Sequence, residues 1–279
     1  MKKIIIPDNI KQITDTIDLS DGYIIGINGF SVNTNYNISI DELASIIDLF
    51  RGKELFISLN KNIENNDLDK LKDILLKLNN YPIKGVLYSD VCFLNFKELL
   101  NYDLVWAQEH LTLNYETINY WFDFGVNYTY ISSDITLEDI IKIKKNTKSK
   151  LLVNIFGYLP MFVSKRHIVK NYLNKFHIND KSNIYYMEKE QEVYPIIDNE
   201  FSTQVYSSKV LNGIKELNTL EENNIEYVVL NGFLIENAKF KQVVEVYCHK
   251  KQLDISKIIL DTFDGFMYQD TISKVKKND

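Results

Sequence analysis

The chain has 279 residues, 45% hydrophobic and 25% charged, with a net charge of −6. That composition suits a globular protein with ample core, and its acidic balance gives no chain-wide attraction for nucleic acid, so any RNA contact has to be a local basic patch. Two cysteines, Cys92 and Cys248, exclude a four-cysteine cluster or zinc site within this chain and fit the reducing cytoplasm. No run reaches the roughly 18 apolar residues of a membrane span. The opening MKKIIIPDNIKQ carries too short an apolar run for a secretory leader.

Strand and helix signals then alternate with short joins. Tyr23 to Phe30 (YIIGINGF) reads as a first strand ending at Asn28 and Gly29. Ser39 to Glu42 forms a capping box, after which Ile40, Leu43, Ile47 and Phe50 fall on one helical face. Glu54 to Asn60 is a second strand, and Leu68, Leu71, Leu75 and Leu78 mark a second amphipathic helix. Ile83 to Tyr88 is a third strand running into Ser89 and Asp90, with a short helix around Phe96 to Leu100. Leu104 to Ala107 is a fourth, leading into Gln108, Glu109 and His110, and Ile118, Trp121 and Phe122 mark a helix that stops at Gly125. Tyr128 to Ile131 is a fifth strand, running into Ser132, Ser133 and Asp134, and Thr136 to Asp139 caps the next helix.

The sixth strand opens the stretch around which the chain is organised, Lys150 to Tyr172. It is apolar to Phe156, is expected to break at Gly157 and Pro160, and ends in the cationic cluster Lys165, Arg166 and His167. Tyr185 to Ile197 then reads as two short strands around a charged turn, an inserted hairpin. Phe201 to Tyr206 is the seventh strand and Tyr227 to Leu230 the eighth, with helices marked by Leu217 and Leu220 and by Phe240, Val243 and Tyr247.

Eight such units predict an α/β fold, a (β/α)8 TIM-type barrel with a β-hairpin inserted after strand 6. With no low-complexity linker, residues 1–279 read as a single domain, with the insertion at about 177–200. A doubly wound sheet also alternates in this way, but its first strand runs into a glycine-rich phosphate loop, and NGFSVN is not one.

In a barrel the polar residues at the carboxyl ends of the strands converge on one mouth. That expectation gathers Asn28, Asn60, Asp90, Glu109, His110, Asp134, Asn154, Arg166, Ser207 and Asn231 on a common rim. Glu109 and His110 set an acid beside a potential general base and are the candidate catalytic pair, although a helix-capping role fits them too. Lys165, Arg166 and His167 suit a carboxylate or phosphate, or else a solvated turn before a helix. Asn28, Asn60, Asn114, Asp134 and Asn231 complete the candidate substrate-binding set; a lone Asn at a strand end also commonly braces its loop, and Asp134 also sits where a helix begins. The four histidines show no metal-ligand spacing, and no serine sits in a Gly-x-Ser-x-Gly elbow. Tyr185 and Tyr186, near Lys181 and Lys189, suit either a nucleic-acid strand or the hairpin's own packing.

VNIFGYLPMFVSKRHIVKNY resembles the signature region of the collagenase-like peptidases, peptidase family U32. WAQEHLTLNYETINYWFDFGV, ISSDITLEDI and the ending TFDGFMYQDTISKVKK agree with it, in the right order. The resemblance implies a barrel without the carboxyl-terminal extensions of long members. It also implies no iron–sulfur cluster in this chain, because Phe156, Pro160 and His167 stand where relatives carry cysteines, and Ser133 and Asp134 replace the family's Arg-Glu pair. Two activities follow from it: hydroxylation of the wobble uridine of tRNA together with a longer homologous partner, or hydrolysis of collagen-like peptides. A non-catalytic subunit that stabilises a catalytic homologue is the third expectation.

Overall fold

The computed structural model describes residues 1–249 and 251–269. In chain order its elements are β1 (Lys2–Ile6), α1 (Ile10–Thr16), β2 (Gly22–Ile27), the two-residue β3 (Asn37–Ile38), α2 (Ile40–Ile46), β4 (Glu54–Leu59) and α3 (Leu68–Leu78). There follow β5 (Gly85–Tyr88), β6 (Asp103–Trp106), α4 (Tyr115–Asp123), β7 (Tyr128–Tyr130), α5 (Leu137–Asn146) and the long β8 (Lys150–Ser164). The last part holds α6 (Ile168–Lys175), β9 (Ile184–Lys189), β10 (Glu192–Asp198), β11 (Thr203–Asn212), α7 (Leu217–Glu222), β12 (Tyr227–Asn231), α8 (Asn237–Tyr247) and β13 (Thr262–Phe263).

Eight parallel strands close into a ring in the order β1, β2, β4, β5, β6, β7, β8, β12 and back to β1. The fold is the predicted TIM-type barrel, but the ring's membership differs from expectation at two places. The first wall strand is β1, which the sequence reading passed over. Ile4, Ile5 and Ile6 are all buried, and a strand covered on both faces shows a plain apolar run rather than alternation. The expected seventh strand, Phe201 to Tyr206, overlaps β11, which lies outside the ring and runs antiparallel to β8. One strand gained and one lost leave the count at eight.

Successive residues on each wall strand serve two different cores. Ile4, Ile24, Phe56, Val105, Tyr128, Leu152 and Tyr227 fill the lumen, whereas their neighbours Ile5, Tyr23, Leu55, Leu104, Leu151 and Val228 pack outward under the helices. Phe56, Tyr128 and Tyr227 meet edge-on or tilted, with centroids 5.9–6.3 Å apart, and plug the lumen near the amino ends of their strands. Outside, α3 buries Leu71, Leu75 and Leu78 as its spacing predicts. Ser39 and Glu42 form the reciprocal cap of α2, and Thr136 accepts the Asp139 amide N–H at 3.1 Å to start α5. The predicted short helix near Phe96 is a 3-10 segment spanning Val91–Leu99.

Strand β8 does not break at Gly157 and Pro160. It changes partners instead. Up to Phe156 it lies parallel between β7 and β12; from there on it pairs antiparallel with β11, leaving the barrel wall. Gly157 makes that exit, with φ of +118° and room for no side chain: a Cβ there would sit 2.5 Å from the carbonyl oxygen of Asn231. The predicted hairpin is present as β9 and β10, joined through Glu190 and Gln191, both in the left-handed region expected of a tight two-residue turn. It extends the β8–β11 layer into a four-stranded antiparallel arm. The closing stretch TFDGFMYQDTISKVKK contributes β13 beside β11, and its part from Asp270 onward lies outside the described residues. Among the described residues no helix is long and apolar enough to cross a membrane.

Substituting Gly157→Ala should cost at least about 1–3 kcal/mol for the backbone conformation alone, before the contact with Asn231 is relieved. Chemical denaturation of the variant beside the parent chain measures it.

Candidate active site at the barrel mouth

The carboxyl ends of the wall strands open into one cavity lined by Asn60, Glu109, His110, Asp134, Asn154 and Asn231 among others. Six of the residues expected on a common rim are thus neighbours. A second cavity adjoins it through Asn33, Asn60, Ala107, Glu109 and His110, and a third, under β11, shares His110, Asp134 and Pro160. His110 lines all three.

Glu109 sits on the loop after β6. The loop is pinned by Ala107 N–H on the Tyr88 carbonyl (2.8 Å) and Thr112 Oγ1 on the Gln108 carbonyl (2.8 Å). Its carboxylate lies deep among protein atoms while still reaching solvent, and accepts a hydrogen bond from Asn33 Nδ2 at 2.8 Å. Burial pushes the carboxyl up to about 7; the Asn33 bond and nearby His110 oppose the rise, and Asp134 adds to it. The group therefore exchanges a proton near neutrality, which is what a general acid or base needs. His110 Nδ1 lies 3.2 Å from Asp134 Oδ2 at the exposed lip, and the Asp134 amide N–H is fixed by Ser132 Oγ at 3.1 Å. The pairing orients the imidazole and leaves Nε2 as its second hydrogen-bonding edge.

Asn33, unflagged in the sequence, is held as firmly as the carboxylate it serves. It takes a left-handed φ of 57°, which Asn tolerates, and its backbone N–H donates to Gln204 Oε1 at 2.9 Å. Gln204, on β11, is fixed in turn by the Tyr206 hydroxyl (2.9 Å) and by Ser202 Oγ (2.8 Å). The arm outside the barrel thereby sets the position of the acid inside it. Tyr130 and Ser58 also line the mouth from the lumen face of β7 and β4. Burial and the charge of Glu109 keep the Tyr130 phenol in its neutral form. The signal for these residues was the polar alternate position in an apolar strand, legible only once the inward face is known.

The remaining predicted residues are placed otherwise. Asn60 and Asn231 line the mouth but also brace loops, accepting the amide N–H of Val32 (2.9 Å) and of Phe233 (3.0 Å). Asn28 is exposed and Asn114 caps α4 through Thr117 N–H at 2.9 Å; neither lines the mouth. Asp90 caps the 3-10 segment through Cys92 N–H, and Ser207 lines the third cavity. Lys165 lines the second cavity and is ion-paired with Glu64. Arg166 is exposed away from all three, with its carbonyl accepting from Thr203 Oγ1 at 2.6 Å. His167 Nδ1 lies 3.2 Å from Asp198, a fully buried carboxylate that also receives Val169 and Lys170 N–H at 2.8 and 3.0 Å and so ties α6 to the arm. Among the described residues no group of three or more His, Cys, Asp or Glu is placed to hold a metal ion.

The model of the family described as peptidase family U32 matches residues 18–276. The chain belongs to peptidase family U32. It is 22% identical over 266 residues to tRNA hydroxylation protein P2 of Bacillus subtilis, covering 88% of this chain and 85% of that one. It is 18% identical to tRNA hydroxylation protein P1 of the same organism, over 55% of this chain and 38% of that longer one. Haemophilus influenzae tRNA hydroxylation protein P is 24% identical over 51% of this chain and 31% of its own length. Among solved structures, phosphoribosyl anthranilate isomerase from Thermus thermophilus superimposes with a TM-score of 0.51 at 7% identity, over 90% of this chain and all of that one, a likeness of fold alone.

Between the unfolded carboxyl near 4.5 and the folded one near 7, the folded U32 chain binds the extra proton at Glu109, so stability falls as pH rises through that window. The full shift is worth a ceiling of about 3 kcal/mol, reduced by solvent contact. Glu109→Gln should remove that slope, matching the parent near pH 4 and exceeding it in melting temperature above pH 7.

Proposed function

We propose that this chain takes part in hydroxylation of the wobble uridine of tRNA in the cytoplasm, together with a longer homologous chain. The observation that carries the reading is the similarity, along most of both chains, to a Bacillus subtilis protein named for tRNA hydroxylation. The mouth supports it with a carboxyl that titrates near neutrality beside an imidazole oriented by Asp134. In this proposal the oxygen atom and the two-electron oxidant come from outside this chain, Glu109 gives or takes a proton in the mouth, His110 hydrogen-bonds the substrate, and Asp134 positions His110. The chain brings the barrel and no cysteine-held cluster of its own.

The family name also suggests peptide hydrolysis, but Cys92 lines none of the three cavities and its thiol is not activated. The Cys92 thiol is pushed up to about 12 by burial and by neighbouring Asp90, and Ser132 Oγ is engaged by the Asp134 amide.

Mass spectrometry of tRNA nucleosides from a strain lacking the chain tests the proposal. The 5-hydroxyuridine-type modification should disappear and return with the parent gene; an unchanged nucleoside profile overturns it. Glu109→Gln should slow the recovered modification on the order of 100-fold. Full recovery with that variant, alongside co-purification of a longer chain, would make this chain the stabilising subunit; gelatin cleavage abolished by the same change would make it the peptidase.

A further inference from the structure

Three side chains at the floor of the mouth stand out by what they do not touch. Asn33, Ser58 and Asn154 are 8%, 1% and 6% exposed. Asn33 Oδ1, Ser58 Oγ and Asn154 Oδ1 have no hydrogen-bond partner among the described residues, yet all three residues line the same cavity. A buried amide oxygen or hydroxyl left unpaired costs about 1–3 kcal/mol, and native chains rarely carry three around one space without a use. Asn33 Nδ2 donates to Glu109, which leaves the amide oxygen as the unpaired end.

The lining between them is apolar, with Ile6, Ile24, Leu87 and Ala107, and among the described residues no lysine or arginine reaches this cavity. With Glu109 and Asp134 on its wall, the floor repels an anion. It suits a neutral flat group whose edge offers an N–H to an amide oxygen and carbonyls to a hydroxyl or amide. Cations stand next door. Lys61 and Lys165 line the adjoining second cavity, which shares Asn33, Asn60 and Glu109 with the first. Each is steadied by a carboxylate that does not itself line that cavity, Asp67 at 3.0 Å from Lys61 and Glu64 beside Lys165.

We propose that the two cavities form one nucleotide site: a neutral pyrimidine base enters the barrel floor against Asn33, Ser58 and Asn154, and its phosphate lies over Lys61 and Lys165. The choice of uracil as the base rests on the tRNA reading above; the division into a floor without lysine or arginine and an annex with two lysines rests on the cavities alone. In that arrangement the ring comes within the same space as Glu109, and the base has left its stack to get there.

Calorimetric titration of the full chain with uridine 5′-monophosphate, ribose 5-phosphate and inorganic phosphate tests the assignment. Uridine monophosphate should bind at least roughly tenfold more tightly than ribose 5-phosphate. Asn154→Leu and the milder Ser58→Ala should each reduce that discrimination several-fold while leaving ribose 5-phosphate binding unchanged. Because each removes an unpaired buried atom, both variants should melt at or above the parent temperature, which separates lost binding from lost fold. Lys61→Ala with Lys165→Ala should weaken all three ligands alike. Equal affinity for uridine monophosphate and ribose 5-phosphate, or discrimination unmoved in both floor variants, overturns the site. Loss of the tRNA modification in the deletion strain alongside absent discrimination defeats the floor assignment alone. Intact discrimination with unchanged tRNA keeps the nucleotide site and defeats the tRNA reading.

Discussion

The structure depends on how β12 closes the ring. Tyr227 to Asn231 pairs with β1 along one edge, and Tyr227 to Leu230 pairs with Leu152 to Phe156 of β8 along the other; that second pairing stops where Gly157 turns the chain outward. Because β12 claims only the lower half of β8, the upper half keeps a free hydrogen-bonding edge, and β11 takes it. The same residue that lets the barrel close therefore releases the arm. The arm returns the favour over the mouth, since β11 carries Gln204 and Tyr206, and Gln204 holds the loop bearing Asn33. A glycine conformation and a carboxylate's position are thus linked through the pairing of β8 with β11 and the side chains of Gln204 and Asn33.

That linkage explains the compromise at Glu109. Burial raises this carboxyl and each donor it accepts from lowers it. Asn33 supplies one, and the His110 imidazole lends a partial counterweight from the lip. Burial still wins, but only far enough to bring the group near neutral pH. The His110–Asp134 pair lies in solvent, where screening makes it a matter of orientation more than of energy.

The fold was readable because wall strands and helices leave different periodicities, and the capping box at Ser39 and the N-cap at Thr136 marked true helix starts. Glu109, His110, Asp134, Asn60, Asn154 and Asn231 were readable as rim residues because a strand's last polar position is fixed by its end, whichever face it presents. What the sequence hid are choices between faces and partners. Ser58 and Tyr130 sit inside strands, and inward differs from outward by one residue of register. Arg166 and His167 follow a strand, yet that strand has already left the wall at Gly157, so their turn serves the arm through Asp198 and not the mouth. Gln204 reaches Asn33 across 171 residues of chain, a separation no local pattern records.

The two ends of the lumen obey opposite rules, and the contrast argues for where the chemistry belongs. At the amino end Phe56, Tyr128 and Tyr227 pack ring against ring, and the space is filled by atoms that gain from one another's company. At the carboxyl end the same strands present Ser58, Tyr130 and Asn231 to a cavity instead, joined by Asn154 of β8. An apolar replacement at Ser58 or Asn154 would improve packing and relieve an unpaired atom, so stability alone gives no reason to keep either. Three unpaired polar atoms gathered around one cavity suit a partner that arrives from outside, and here they stand beside Glu109, whose carboxyl trades a proton near neutral pH.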